Sequence, residues 1–219
     1  MRYTSQLAVG SPTARIAAIM VATLLIATMV AGAGIAGSRL LAAEGTIVVD
    51  QSGNGTVTTI AEAVRMAEDG DTILVRPGTY VEAVTIDKDV TLSGDGPRDE
   101  IIIMAPEGGP TNIVDGGRAD PYAMLLTDTA ATLSFLTFRG EPSAIHARGG
   151  SPTLEGLVMD GVGQPHTQPA GRYTFTNSIV INGDSTATVS GNTLLGAGPI
   201  AIYEDSKPSV VGNTLIDGA

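Results

Sequence analysis

The chain has no cysteine and no tryptophan, and its 219 residues include only 3 phenylalanines and 2 histidines. Without cysteine, disulfide staples, thiolate metal centres and cysteine nucleophiles are excluded. With 5 tyrosines as the only other aromatic residues, a core built on large interlocking rings is excluded as well. Basic side chains are scarce: 12 Lys and Arg stand against 23 Asp and Glu, a formal net charge of -11. Arg2, Arg15 and Arg39 lie in the first 40 residues with no acid among them, so the remainder carries -14. Such a surface repels a phosphate backbone, and no basic patch offsets it, so nucleic acid is not an expected partner. Acidic polysaccharides meet the same repulsion unless a divalent cation bridges them. What the chain has in quantity is 28 glycines and 12 prolines, which call for short elements separated by many turns. The length suits one domain with a continuous core.

The N-terminal stretch is different in kind. Ile16 to Gly37, "IAAIMVATLLIATMVAGAGIAG", is 22 residues without a charge, preceded by Arg2 and Arg15. That reads as a secretory signal ending in a small-residue stretch, or as an uncut anchor with the arginines inside. Either reading divides the chain into a targeting segment, 1–43, and a domain, 44–219, outside the cytoplasmic membrane. If the segment is uncleaved, the membrane is itself a partner.

From Gly45 the pattern becomes regular. "TIVVD" is a strand, and "TTIAEAVRMAEDGD" places Ile60, Ala63, Val64 and Ala67 on one face of a short helix ending at Gly70. The short runs "TILV", "AVTI", "VTL" and "IIIM" follow, each bounded by Gly, Pro or Asp. An internal repeat then begins: "ATLSFLTF" at Ala131, "PTLEGLVM" at Pro152 and "YTFTNSIV" at Tyr173, spaced by 21 residues. After a step of 14 comes "ATVSGNTL" at Ala187, and after another 21 "PSVVGNTL" at Pro208. The second position is always Thr or Ser, and the third and eighth are apolar, with Phe175 and Val180 filling them in the Tyr173 copy. Positions repeated at this period stack inside a solenoid, where neighbouring rungs bury what one rung cannot. Leucine-rich repeats have a similar length but a different frame, so the expected fold is an all-β, right-handed, single-stranded parallel β-helix with a short N-terminal capping helix.

These copies, above all "SGNTLLG" and "VGNTLIDG", resemble the parallel β-helix repeat of the pectate-lyase-like superfamily. The segment from "TIVVD" to "TLSGDG" is similar to the cap and first rungs of pectin methylesterases and other right-handed β-helix proteins. The resemblance runs from Thr46 to the end and implies the fold; it leaves open lyase, hydrolase, esterase, epimerase or no activity. The family's catalytic stretches do not carry over. The paired aspartates of "QDT" and "DFIFG" type and the Arg-Pro-Trp of pectin methylesterases are missing, and Arg76-Pro77-Gly78 lies in the first turn. The calcium carboxylates with an Arg or Lys base of pectate lyases, and the Asp, Gly-His and Arg-x-Lys set of polygalacturonases, are also missing.

Candidates remain in the residues themselves. Arg139 and Asp160 share the ninth repeat position and should stack about 4.8 Å apart on adjacent rungs, as a substrate clamp or a solvated pair. His146, with Arg148 and Glu155 nearby in sequence, is a candidate general base. Together Arg139, His146 and Asp160 form the expected catalytic set if the chain is an enzyme. The segment "GVGQPHTQPAGR", Gly161 to Arg172, stands where other copies carry an apolar strand; it offers Gln164, His166, Gln168 and Arg172 to a ligand. Asn192 and Asn213 share a repeat position and should form an internal ladder at a bend. Asp87, Asp89, Asp95 and Asp99 match no dedicated calcium loop and read as turn formers. The final repeat copy ends on a turn without a capping helix, so the expectation is either a homo-oligomer formed through an uncapped last rung or a short or truncated family member whose active rungs are absent.

The expected function is therefore a non-catalytic, exported or surface-anchored module that contacts an extracellular glycan or an envelope protein, using repeated shallow hydrogen bonds along one face. It needs no cofactor. The alternative is a polysaccharide lyase or glycoside hydrolase, for which calcium would be the one candidate cofactor.

Overall fold

The computed structural model describes residues 45–113, 119–140, 145–163, 166–167, 173–174 and 177–216. The chain enters through strand β1 (Thr46–Val49) and a helix, α1 (Ile60–Met66), and then winds. The first turn of the coil is β2 (Thr72–Val75), β3 (Gly78–Val81) and β4 (Val84–Ile86). The second is β5 (Thr91–Gly94), β6 (Ile101–Met104), the two-stranded ribbon β7 (Thr111–Ile113) and β8 (Ala119–Pro121), and β9 (Met124–Thr127). The third is β10 (Thr132–Ser134), β11 (Thr137–Arg139) and β12 (Ile145–Arg148). The fourth is β13 (Thr153–Glu155), β14 (Val158–Asp160), a second ribbon of β15 (His166–Thr167) and β16 (Tyr173–Thr174), and β17 (Ile179–Asn182). The fifth is β18 (Thr188–Ser190), β19 (Thr193–Leu195) and β20 (Ile200–Ile202), followed by β21 (Ser209–Val211) and β22 (Thr214–Ile216).

Corresponding strands of successive turns pair in parallel and build three sheets. Sheet A runs β1-β2-β5-β10-β13-β18-β21, sheet B β3-β6-β11-β14-β19-β22, and sheet C β4-β9-β12-β17-β20. This is the expected right-handed parallel β-helix with its short N-terminal helix, the hand that parallel crossovers adopt almost without exception.

Strand alternation explains why the coil closes on a dry interior. In sheet A, Ile73, Leu92, Leu133, Leu154 and Val189 share one inward row. In sheet B the inward row is Tyr80, Ile103, Phe138, Met159 and Leu194. All ten of these side chains are buried. Burying each Leu, Ile or Phe contributes about 1.5–3 kcal/mol. In the last described rung, Val210 and Leu215 continue these rows but are 40% and 69% exposed.

The helix packs Ile60, Ala63 and Val64 into the core and is held at both ends. Thr59 accepts from the Glu62 amide, and the Glu82 carboxylate accepts from the amides of Ile60 and Ala61 at 3.0 and 2.9 Å. At the other end Lys88 Nζ donates to the carbonyls of Val64, Arg65 and Ala67. An anion at the N-terminus and a cation at the C-terminus both complement the helix dipole. The helix stops at Met66, short of the expected Gly70, because Ala67 already adopts an extended backbone.

Two carboxylates fasten the first rungs. Asp50 accepts from the Ser52 hydroxyl and amide and from Arg76, and these bonds, the Ser52 hydroxyl's foremost, hold its pKa below the usual aspartate range. Asp71 accepts from the Glu68 and Gly45 amides and is lowered for that reason.

The repeat needs one correction. The structure pairs Leu154 directly with Val189, so no rung begins at Tyr173. Tyr173 and Thr174 instead pair antiparallel with Thr167 and His166, Val180 belongs to sheet C, and Phe175 lies outside the described residues. The steps of 21 and 14 residues are together one long rung, which is why the sequence offered five copies where sheet A has four. The Asn ladder is present: Asn192 Nδ2 donates to Asn213 Oδ1 and to the Leu154 carbonyl, and Asn192 Oδ1 accepts from the Leu157 amide.

Candidate functional site at the corner between sheets B and C

Both two-stranded ribbons leave the coil at one corner; elsewhere among the described residues a 3-10 turn, Arg98–Glu100, lengthens the passage from β5 to β6. The ribbon β7–β8 leaves between β6 and β9, and the ribbon β15–β16 leaves between β14 and β17, so both interrupt the passage from sheet B to sheet C. The same passage takes only 82–83 in the first turn and 196–199 in the fifth. In a solenoid, insertions gathered on one face mark the face that meets other molecules.

Arg139 and Asp160 end β11 and β14 at this corner. They are register partners, and Arg139 Nε donates to Asp160 Oδ2 at 2.9 Å. Their side chains are 43% and 39% exposed, so the pair contributes about 0–1 kcal/mol.

His146 lies beyond the corner on β12. Ile145 and Ala147 point into the core, so His146 points out of sheet C, in one row with Thr85, Leu125, Val180 and Ala201. Although outward, it is fully buried. Tyr122, which follows the first ribbon, lays its ring 5.8 Å from the imidazole at 47° and brings its hydroxyl to within 3.4 Å of Thr85 Oγ1. At the other end of the face, Asn177 Nδ2 donates to the Tyr203 hydroxyl at 3.4 Å. Arg148, two residues beyond His146, is exposed.

The expected catalytic set is thus split between two sheets. Arg139 and Asp160 meet on sheet B, whereas His146 is buried on sheet C beneath a tyrosine. Glu155 is further away in the fold, on sheet A. His166 is placed in β15 by its backbone, and Gln164, Gln168 and Arg172 lie outside the described residues. Among the described residues no group of three His, Asp or Glu side chains converges as a metal site would require. Sequence reasoning missed Tyr122, Tyr203 and Asn177. Alternation along "AIHAR" could have turned His146 outward, but Tyr122 follows an insertion and carries no periodic signal.

Solved structures similar to the chain include a pectin methylesterase in complex with a hexasaccharide, at 19% identity and a TM-score of 0.47, covering 70% of this chain and 56% of that one. A pectin methylesterase from Erwinia chrysanthemi gives 16% and 0.43, covering 73% and 56%. A pectin methylesterase from carrot gives 16% and 0.26, covering 86% of each chain. The chain spans little more than half the length of the first two. At these identities the likeness concerns the fold. No family model and no curated protein matches the sequence.

Proposed function

We propose that this chain is an exported or surface-anchored β-helix module that binds a glycan over the outer face of sheet C without cleaving it. The observation that carries the reading is the gathering of both ribbons at the corner beside that face. The chemistry of the face agrees: Thr85 and Arg148 are exposed and Tyr203 is half-buried, so the face presents a neutral hydroxyl, a cation and part of one aromatic ring, with the buried Tyr122 and Asn177 supporting Thr85 and Tyr203 from beneath. The arrangement of Arg139, Asp160 and His146 favours binding over catalysis, since the ion pair occupies both charges and the imidazole is covered. Export rests on the uncharged run from Ile16 to Gly37; among the described residues no helix is long and apolar enough to cross a membrane.

The test is a binding titration of the purified protein against neutral and acidic oligosaccharides, with product release followed in parallel. Saturable binding that weakens at least tenfold in Tyr203→Ala, without new reducing ends, is expected. Turnover abolished by Asp160→Ala would replace this reading with the lyase or hydrolase alternative. Absence of glycan binding would move the face to an envelope protein partner.

A further inference from the structure

The outer face of sheet A carries a regular array that the reading above does not use. Register places Thr91, Thr132, Thr153 and Thr188 in one outward row, extended by Thr72 and Thr46 on one side and by Ser209 on the other. No rung breaks the row, so a hydroxyl recurs about every 4.8 Å along the coil. The core does not require this, because an outward strand position accepts many side chains. Among the described residues, the side-chain hydroxyls of this row's Thr72, Thr91, Thr132, Thr153 and Thr188 take part in no hydrogen bond. In the next outward row Ser134 Oγ donates to Ser93 Oγ, and Glu155 is exposed.

The turn that borders this face holds one exception to its own rule. Gly94, Phe135, Gly156, Gly191 and Gly212 follow aligned residues of sheet A, so they occupy one position on successive rungs. Gly156, Gly191 and Gly212 have φ of 59, 63 and 64°, left-handed values that suit glycine. Phe135 holds φ 55° with a side chain, and that side chain is 54% exposed. Its ring carbons lie 3.6 and 3.7 Å from where a Cβ on Gly156 would be, so the ring rests beside bare backbone. A strained backbone and an exposed ring both work against folding. Strain retained at one position points to a role outside the core.

We propose that the outer face of sheet A is a second carbohydrate surface, which takes an extended neutral polysaccharide parallel to the coil axis. Threonine hydroxyls bond successive sugars, whose spacing in an extended chain is close to the rung rise, and one pyranose stacks on Phe135. The ligand is neutral because Glu155 stands within the face and the soluble part of the chain carries -14. The surface is distinct from the sheet B to sheet C corner and uses none of its residues.

The probe is native affinity electrophoresis of the full chain in gels containing a soluble β-1,4-glucan, a β-1,3-glucan or a galactomannan, with polygalacturonate as the acidic comparison. Retardation by at least one neutral polysaccharide, and none by polygalacturonate, is expected. Phe135→Gly should weaken it at least fivefold while Tm stays unchanged or rises, because glycine relieves the left-handed strain; a merely structural phenylalanine would lower Tm. Should Phe135→Gly unfold, Thr132→Val with Thr153→Val removes hydroxyls without changing shape and should weaken retardation to a similar degree. Retardation of these variants equal to the parent overturns the inference and leaves the corner reading intact. Failure of all three neutral gels to retard the parent overturns it outright.

Discussion

Asn192 donates its side-chain amide to the side-chain oxygen of Asn213, 21 positions on and one rung further along the coil, at 2.9 Å. The same Asn213 oxygen accepts the Asn192 backbone amide, and Asn213 Nδ2 returns a bond to the Val189 carbonyl. Asn192 is 1% exposed, so these bonds satisfy backbone groups that no water reaches. Asn192→Ala leaves the Leu157 amide without its partner and takes the side-chain donor from the Leu154 carbonyl. The expected loss is about 1–3 kcal/mol for each buried group stranded, read as a lower midpoint in denaturant unfolding at unchanged slope.

The helix over the first rungs depends on two opposite charges. Lys88→Met removes the donor to three C-terminal carbonyls, and Glu82→Gln the charge at the N-terminal amides. Each substitution should destabilise the cap by about 0.5–2 kcal/mol. Faster amide exchange between Ile60 and Ala67, with exchange in sheets B and C unchanged, is the expected signature.

Acid should loosen the first rungs. Asp50 and Asp71 both have folded pKa values below their ordinary value of about 3.9. Over that interval the unfolded chain binds more protons than the folded one, so stability rises with pH. Their contribution is complete above the unfolded value and is lost as pH falls through the lowered folded values. Asp50→Asn and Asp71→Asn should each flatten the acid limb of a stability profile and leave its neutral plateau lower than the parent's. An unchanged acid limb in both variants would contradict the assignment.

The Arg139–Asp160 pair should prove nearly neutral for folding. A double-mutant cycle of Arg139→Ala and Asp160→Ala is expected to give a coupling of about 0–1 kcal/mol, shrinking in high salt. A coupling of several kcal/mol would mean that the pair is shielded from water.

Much of this architecture was legible in the sequence. The rows through Leu133 and Phe138 are visible as repeats because a solenoid places each inward residue at the same phase. The Arg139–Asp160 contact and the Asn ladder follow from the same phase. What misled the reading at Tyr173 was composition: a Thr-rich ribbon imitates a rung, and only strand pairing tells them apart. The environment of His146 was equally hidden, since a tyrosine separated from it by a rung boundary covers it. The strain at Phe135 lay in the sequence as a phenylalanine among aligned glycines, yet its meaning needed the backbone angle.

The most direct measurement is a parallel assay of binding and turnover on the purified protein across neutral and acidic polysaccharides, with and without calcium, following new reducing ends and unsaturated products. Saturable binding with no product from folded protein is the expected result. Product that disappears in Arg139→Ala or Asp160→Ala would contradict a binding module and locate an active site at the corner.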